Sequence, residues 1–430
     1  MKKHIAFLES NLSGSGFEGL KVAKEMGYHV TFLTRDLQRY LDVPGGSDYF
    51  DHYVDDIRCC ETNSVEDVLH EIHKEIQEKT FSAFLTLGEY DVPVAAKVAT
   101  HLGLPTLDPT AATIARNKYL TRVYCEKSNV PIPRFKAVRE KDELQEIMGY
   151  IGFPCILKPV DETSSTDVVK CGDLNELVYH FDAIKNKGEN TRGQSRTNQE
   201  LLIEEYMVGY EVSIEVLTHN GKHEVIGVTD KFLSAGKHFV EIGHSFPSGL
   251  PEKIVKECEQ VAVDSLDAIG FNMGASHIEV KVTKEGVKLI EINARPGGDK
   301  VPTLVELSLG YSIVKDVLKL YMNETPDLFD RKLVKKGAAI RFITAYPGVI
   351  QHLSGSEDVC MLPGIQQFVM SAAVGTVVKP LDRNGHRLGH VLVVADSPFE
   401  ASRIADTAIG QLSIQTNPLS KEVAAYANQI

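Results

Sequence analysis

The residues best suited to chemistry lie on two short runs, Gly274-Ala275-Ser276-His277-Ile278-Glu279-Val280 and Leu289-Ile290-Glu291-Ile292-Asn293-Ala294-Arg295-Pro296-Gly297-Gly298. Both runs alternate as strands do, so side chains two apart share a face. His277 and Glu279 therefore point one way, as do Glu291, Asn293 and Arg295, and Lys284-Glu285-Gly286 supplies the hairpin turn between them. Two carboxylates and an amide face one patch. Such hard oxygen ligands suit Mg²⁺ or Mn²⁺, which keeps waters and takes one or two carboxylates beside substrate phosphates. The expected ligands are Glu279, Glu291 and Asn293, while Arg295 can stabilise charge developing in a transition state.

Residues from Lys3 to about Pro109 alternate short apolar strands (His4 to Leu8, Val30 to Leu33, Phe81 to Thr86) with amphipathic helices. One helix opens at Ser64 and carries a stripe of Val65, Val68, Leu69, Ile72 and Ile76. The pattern predicts an open α/β sheet. A second unit begins near Asn117 and leads through Val130-Pro131-Ile132-Pro133 to the strand Phe153-Pro154-Cys155-Ile156-Leu157-Lys158-Pro159. The stretch Lys185 to Gln199 is polar and without apolar period, which predicts a mobile surface connection. Strands and helices alternate again from Leu201 to about Tyr321. After the charged linker Asp327 to Lys336 the tail is rich in short strands, with a turn at Asn384-Gly385 and a helix capped by Ser397.

Lys158 ends an apolar strand, where a lysine is costly unless it meets an anion. With Lys118 and the hydroxyl-rich loop Val160-Asp161-Glu162-Thr163-Ser164-Ser165-Thr166, it suggests phosphate binding without the glycines of a P-loop. The run Leu201-Leu202-Ile203-Glu204-Glu205-Tyr206-Met207 reads either as a solvated strand end or as backbone presented to an adenine edge.

Composition narrows the class. The 430 residues, 43% hydrophobic and 24% charged, describe a globular chain long enough for several domains. A net charge of -13 with no basic tract opposes nucleic-acid binding and favours small-molecule substrates. Seven scattered cysteines without a CxxC pair indicate neither a disulfide framework nor a zinc ribbon. No secretory or membrane-spanning run is visible, so the expectation is a cytoplasmic protein with no membrane partner.

Two further motifs read more simply as structure. Gly14-Ser15-Gly16-Phe17-Glu18-Gly19, with Asp36 beyond the next strand, matches a dinucleotide fingerprint. The same glycines can merely pack strand on helix, and the downstream motifs favour that. His70 and His73 lack the HExxH spacing and fit a solvated helix face.

The ordered set Lys118, Ile156-Leu157-Lys158-Pro159, Glu204-Glu205-Tyr206, Glu211-Val212-Ser213, His277-Ile278-Glu279 and Ile290-Glu291-Ile292-Asn293-Ala294-Arg295 resembles the ATP-grasp superfamily across most of the chain. The run Glu9 to Gly16, the His-x-Glu pair and Arg295-Pro296-Gly297-Gly298 are most similar to the L-amino acid ligases that join two unprotected amino acids. Gly385-His386-Arg387-Leu388-Gly389-His390-Val391 is similar to the C-terminal region of carboxylase and ligase relatives alike.

The resemblance implies an α/β and α+β multidomain ATP-grasp fold. Its parts would be an N-terminal open α/β pre-ATP-grasp domain (1–115), a small ATP-grasp subdomain with a connecting region (116–200), a large subdomain with the metal site (201–325) and a strand-rich C-terminal domain (326–430). It implies ATP as co-substrate with Mg²⁺ or Mn²⁺, and compatibility with a homodimer. Lys118, Lys158, Ser164 and Ser165 would meet the phosphates, Glu204, Glu205 and Met207 the adenine, and Glu211 the ribose. Arg295 and His277 would be catalytic. Glu89, His277, Arg295, Gly297 and Gly298 would hold the amino acids, Glu89 through an ammonium group. The implied reaction is ATP-dependent dipeptide formation through an acyl phosphate. The alternatives are another carboxylate–amine ligation in antibiotic or cofactor synthesis, a bicarbonate-using carboxylase, or a nucleotide-responsive binding protein.

Overall fold

Three buried apolar strands and a polar, half-exposed edge strand, with helices on both faces, build the first sheet of the computed structural model, which describes residues 3–12, 15–73, 81–189, 200–234, 239–329 and 336–418. Strands β1 (His4–Leu8), β2 (His29–Thr34), β3 (Asp56–Cys59) and β4 (Ala83–Leu85) run parallel in the order β3-β2-β1-β4. All of β1 is buried, as a central parallel strand requires. Ile5 and Phe7 pack with Leu20 and Ala23 of the helix Ser15–Glu25 on one face. On the other, Ala6 and Leu8 pack with Val68 and Ile72 of the helix Val65–His73. The last stripe residue, Ile76, lies outside the described residues, as do Gly14 of the glycine motif, 190–199 of the polar connection and 330–335 of the charged linker.

The second sheet is antiparallel, in the order β5 (Phe135–Val138), β8 (Leu201–Glu205), β6 (Cys155–Pro159) and β7 (Val169–Cys171). The helices Leu144–Ile151 and Leu174–Lys185 contribute to the core it buries.

The third sheet has eight antiparallel strands. They are β9 (Gly209–His219), β10 (Lys222–Leu233), β11 (Glu241–Phe246), β12 (Met273–Thr283), β13 (Gly286–Asn293), β14 (Gly337–Ile343), β16 (Ile365–Met370) and β18 (Gly389–Ala395). Their order is β13-β12-β9-β10-β11-β14-β18-β16. The ladder from β11 to β14, with Gly243 opposite Arg341 and Phe246 opposite Ala338, carries the C-terminal strands onto the sheet that holds His277 and Glu279. A small sheet of β15 (Gly348–Ser354), β17 (Val377–Val378) and β19 (Ser413–Asn417) completes the tail. Ser397 caps the helix Pro398–Gln411 by accepting from the Glu400 N–H.

Period-two alternation decides which face of the third sheet does chemistry. Ile278 and Val280 enter the core with Cys258, Val261 and Leu266 of the helix Glu252–Ala268, which leaves His277 and Glu279 on the opposite face. Among the described residues no helix is long and apolar enough to cross a membrane. All seven cysteines are free thiols.

Candidate active site

A cavity of about 220 Å³ opens between the second and third sheets. At one end, β6 and β8 pair so that Ile156 lies opposite Glu204 and Lys158 opposite Leu202. Glu204 is a buried carboxylate between two cations, 2.6 Å from Arg122 Nε and 2.6 Å from Lys158 Nζ. Burial raises its pKa, but Arg122 and Lys158 outweigh that and hold it below the usual range. Burial lowers the pKa of Lys158, and its attraction to Glu204 only partly offsets this. Glu205 points the other way, to Arg134 at 2.6 Å and Lys288 at 3.0 Å. Tyr206 lies 3.9 Å beneath Lys170, and Met207 joins Glu204 and Glu205 in lining the cavity.

Lys118 opens the helix Lys118–Lys127, whose Asn117 cap accepts from Leu120 N–H. Its Nζ donates to the Glu162 carbonyl at 2.5 Å and lies 3.4 Å from Glu291. The hydroxyl loop that follows Lys158 takes left-handed backbone at Ser164, Ser165 and Asp167, without a glycine to ease it. Ser164 and Ser165 both line the cavity.

On β12 and β13 the register sets Glu279 opposite Glu291 and His277 opposite Asn293, the close cross-strand arrangement that brings side chains together. Glu279 lies 2.8 Å from Lys231 Nζ, which also holds Glu241 at 2.9 Å and Glu211 at 3.1 Å. Burial works against ionising Glu279, yet Lys231 and His277 keep its carboxyl far below the usual range. Asn293 donates to Glu291 at 3.1 Å and faces a smaller cavity beside Arg116, not the main one. The donors suit a hard divalent cation: Glu279 and Glu291 both line the main cavity, and all the ligand atoms are oxygens.

His277 is held on both sides. Nδ1 bonds to Glu215, which lies opposite it on β9, and Nε2 is 3.3 Å from Glu279. Burial favours the neutral ring, but the two carboxylates outweigh it and raise the pKa to about 10. His277 is therefore an imidazolium at neutral pH and no general base. Gly297 packs against this pair, for a Cβ there would lie 2.8 Å from His277 Nδ1 and 3.1 Å from Glu215. A Cβ at Gly298 would meet nothing nearer than Arg295 Nη1 at 4.0 Å.

Arg295 donates to one oxygen of Glu89 from Nε at 3.1 Å and from Nη2 at 2.5 Å, and Arg116 lies 3.7 Å from the other oxygen. Glu89 thus meets two guanidinium groups. Burial raises its pKa, but Arg295, Arg116 and Lys118 pull it below the usual range. Glu89, expected to grip a substrate ammonium, is paired here with Arg295.

At the other end, the acceptor atoms of Glu241, His244 and Asp299 all lie within 4.8 Å of one another. His244 is 2% exposed, and among the described residues neither ring nitrogen finds a hydrogen-bond partner. Its Nε2 stands 4.0 Å from Glu241 and 3.9 Å from Asp299. Burial raises the pKa of Glu241 more than Lys231 lowers it, whereas at Asp299 burial is outweighed by Glu241 and then Arg387, which hold its carboxyl well below the usual range.

Sequence reasoning missed Arg122, Glu215, Lys231, Glu241, His244 and Asp299. Glu215 was within reach, because Glu211, Ser213 and Glu215 alternate on one face of an apolar strand. The others depend on strands that meet only in the folded sheet. The glycine motif shows packing: a Cβ at Gly16 would lie 2.2 Å from the Asn11 carbonyl oxygen, and one at Gly19 2.2 Å from Leu87. His70 and His73 sit on the helix Val65–His73, far along the chain from the cavity lining.

Residues 151–303 match the ATP-grasp domain family, and residues 341–417 match the L-amino acid ligase C-terminal domain 2. The fold is that of the crystal structure of an L-amino acid ligase from Bacillus licheniformis, with a TM-score of 0.79 at 22% identity over 97% of this chain and 99% of that one. Dapdiamide A synthase of Enterobacter agglomerans is 23% identical over 75% of this chain and 77% of its own length. The alanine–anticapsin ligase of Bacillus subtilis (strain 168) is 28% identical over 56% of this chain and 54% of its own. This chain therefore carries an ATP-grasp domain and an L-amino acid ligase C-terminal domain on one shared fold, with two lysines and paired carboxylates in one cavity, the make-up of an ATP-dependent C–N ligase.

Proposed function

We propose that the enzyme joins two L-amino acids into a dipeptide, releasing ADP and phosphate. The observation that carries this reading is the trio Glu241, His244 and Asp299, two carboxylates flanking a buried imidazole whose nitrogens find no hydrogen-bond partner among the described residues. An ammonium group has three N–H donors to offer such a trio. The trio shares one cavity with Lys118, Lys158, Glu279, Glu291 and Arg295. On this reading it holds the amino group of an amino acid, while Glu89 and His277 hold Arg295 and the metal-side carboxylates in place. The adenine would lie along Glu204, Glu205 and Met207, and Glu211 would take the ribose.

A carboxylate is a poor electrophile, so the first amino acid must be activated. Its carboxylate oxygen attacks the γ-phosphorus of ATP, the bond to the β-phosphate oxygen breaks, and an acyl phosphate and ADP result. Lys118, Lys158 and the loop of Ser164 and Ser165 hold the phosphates in line. Glu279 and Glu291, with Asn293 behind Glu291, would hold Mg²⁺ or Mn²⁺, whose chemistry is to neutralise charge on the transferring phosphoryl group. The neutral amine of the second amino acid then attacks the acyl carbon, and Arg295 stabilises the resulting oxyanion. Collapse expels phosphate, and that basic leaving group takes the amine proton. Closure of the loop from Val160 to Thr166 keeps water from the acyl phosphate.

A second reading follows from the relatives' names, dapdiamide A synthase and alanine–anticapsin ligase: the same residues could join a carboxylate or amine other than a standard amino acid. The division at residues 115, 200 and 325, a cytoplasmic location and a homodimer belong to this proposal too. The test is phosphate release with Mg²⁺-ATP across all pairs of L-amino acids, with mass spectrometry of each responding pair. Dipeptide in step with phosphate supports the reading. Release that requires bicarbonate points to a carboxylase, and ATP binding without turnover on any pair overturns dipeptide synthesis.

A further inference from the structure

Asp299 and Lys300 are consecutive residues in the left-handed region, with φ of 46° and 64°. Residues with a Cβ hold that conformation only where their surroundings impose it. A turn from far along the chain grips the first of them. Both Nη atoms of Arg387 donate to Asp299, each at 2.7 Å, in the two-pronged geometry that fixes a carboxylate's orientation as well as its charge. Arg387 is itself fixed, lying 3.6 Å over the Phe342 ring and donating to the carbonyls of Asn384 at 2.7 Å and Glu241 at 3.3 Å. Asn384 works in parallel: its Nδ2 donates to Glu241 at 3.0 Å and Asp299 at 3.3 Å, and its Oδ1 accepts from the Glu241 N–H at 3.1 Å.

We propose that Asn384 and Arg387 are positioning residues: the turn Asn384–His386 and Arg387 clamp the loop Gly297–Lys300 and aim the carboxylates of Glu241 and Asp299 at the ammonium group of the amino-acid substrate. The substrate half of this statement rests on the reading given under Proposed function; the clamp does not. A lysine at 387 keeps the charge but loses the planar fork and its seat on Phe342.

The test uses the full-length R387K, R387A and N384A variants. Hydrogen exchange reads the amides of Val301 and Leu304, which donate to the carbonyls of Gly298 and Lys300 in the clamped loop, and steady-state kinetics reads KM for the amino acid and for ATP separately. For R387K and R387A the expected result is exchange at these amides, and amino-acid KM, each raised roughly 10- to 100-fold with ATP KM little changed, as loss of charged hydrogen bonds predicts. N384A should move both in the same direction by less. Unchanged exchange in R387A and R387K overturns the clamp. A change of exchange with ATP KM rising as much as amino-acid KM overturns the assignment to amine positioning. Should R387A fail to fold, R387K and N384A carry the same decision. If no amino-acid pair supports turnover in the unaltered enzyme, the substrate reading fails, and the exchange measurement still decides the clamp.

Discussion

Glu89 and Arg295, 206 residues apart, are joined by two hydrogen bonds to one carboxylate oxygen, at 2.5 and 3.1 Å. The contact ties the end of the first sheet to the end of β13. Each charge would be costly alone in this buried place, and each makes the other tolerable. Glu89→Gln keeps the shape but removes the charge that orients Arg295. Ligase kcat should fall roughly 10- to 1000-fold, as when a transition-state donor is lost, with ATP KM little altered. Steady-state ADP release measures both constants.

Glu279 and Glu291 face each other across β12 and β13 but differ in their neighbours. Glu279 lies between Lys231 and His277, whereas Glu291 meets Lys118 at 3.4 Å and is partly exposed. Glu291→Gln should therefore abolish ADP formation with a melting temperature close to that of the unaltered enzyme. Glu279→Gln should abolish it and lower the melting temperature too, since two buried cations lose a counter-charge. Full activity in Glu291→Gln would remove the metal assignment.

His277 gives the fold a distinctive pH dependence. Its pKa is raised from 6.5 to about 10 by Glu215 and Glu279 against the effect of burial. The stabilisation is complete below pH 6.5, where the unfolded chain is also protonated, and is lost as pH rises to about 10. Thermal melts should show stability declining through that window. Glu215→Gln should flatten the decline, and an NMR titration of His277 should move to lower pH.

Arg122, Glu204 and Lys158 form a buried chain of charges with 2.6 Å contacts. Arg122→Met leaves Glu204 with one cation and unties the Ile290 carbonyl, which Arg122 holds at 2.6 Å. Loss of one member of such a network costs about 3–5 kcal/mol. Chemical denaturation should show that loss, together with weaker ATP binding by isothermal titration as Lys158 shifts.

Gly297 and Gly298 should part company. An alanine at 297 drives its Cβ to 2.8 Å from His277 Nδ1 and 3.0 Å from Val301, so Gly297→Ala should lose most activity. Gly298→Ala fits the protein, its nearest neighbour being Arg295 at 4.0 Å. Any loss in that variant, read as a rise in amino-acid KM, reports on substrate that occupies the space.

Much of the site was legible because strands impose a period of two. His277 with Glu279, and Glu291 with Asn293, could be placed on shared faces from spacing alone, and the cross-strand register keeps those pairs together. The same period would have exposed Glu215. His244 gave no such signal: on β11 it is one polar residue among several, and its burial arises from Phe342, whose ring lies 6.0 Å away on a strand about 100 residues later.

The sequence by itself determined the alternation of elements, the lysine that ends an apolar strand, the paired carboxylates and the superfamily their order resembles, because each is encoded in local periodicity or in the order of short motifs. The tertiary structure alone decided that Glu89 holds Arg295, that Glu204 stands between Arg122 and Lys158, and that Glu241, His244 and Asp299 meet under a clamp from residues 384 and 387. These are contacts between charges that must be paired once water is excluded, and which partner each finds depends on strand order, not on neighbours in the chain.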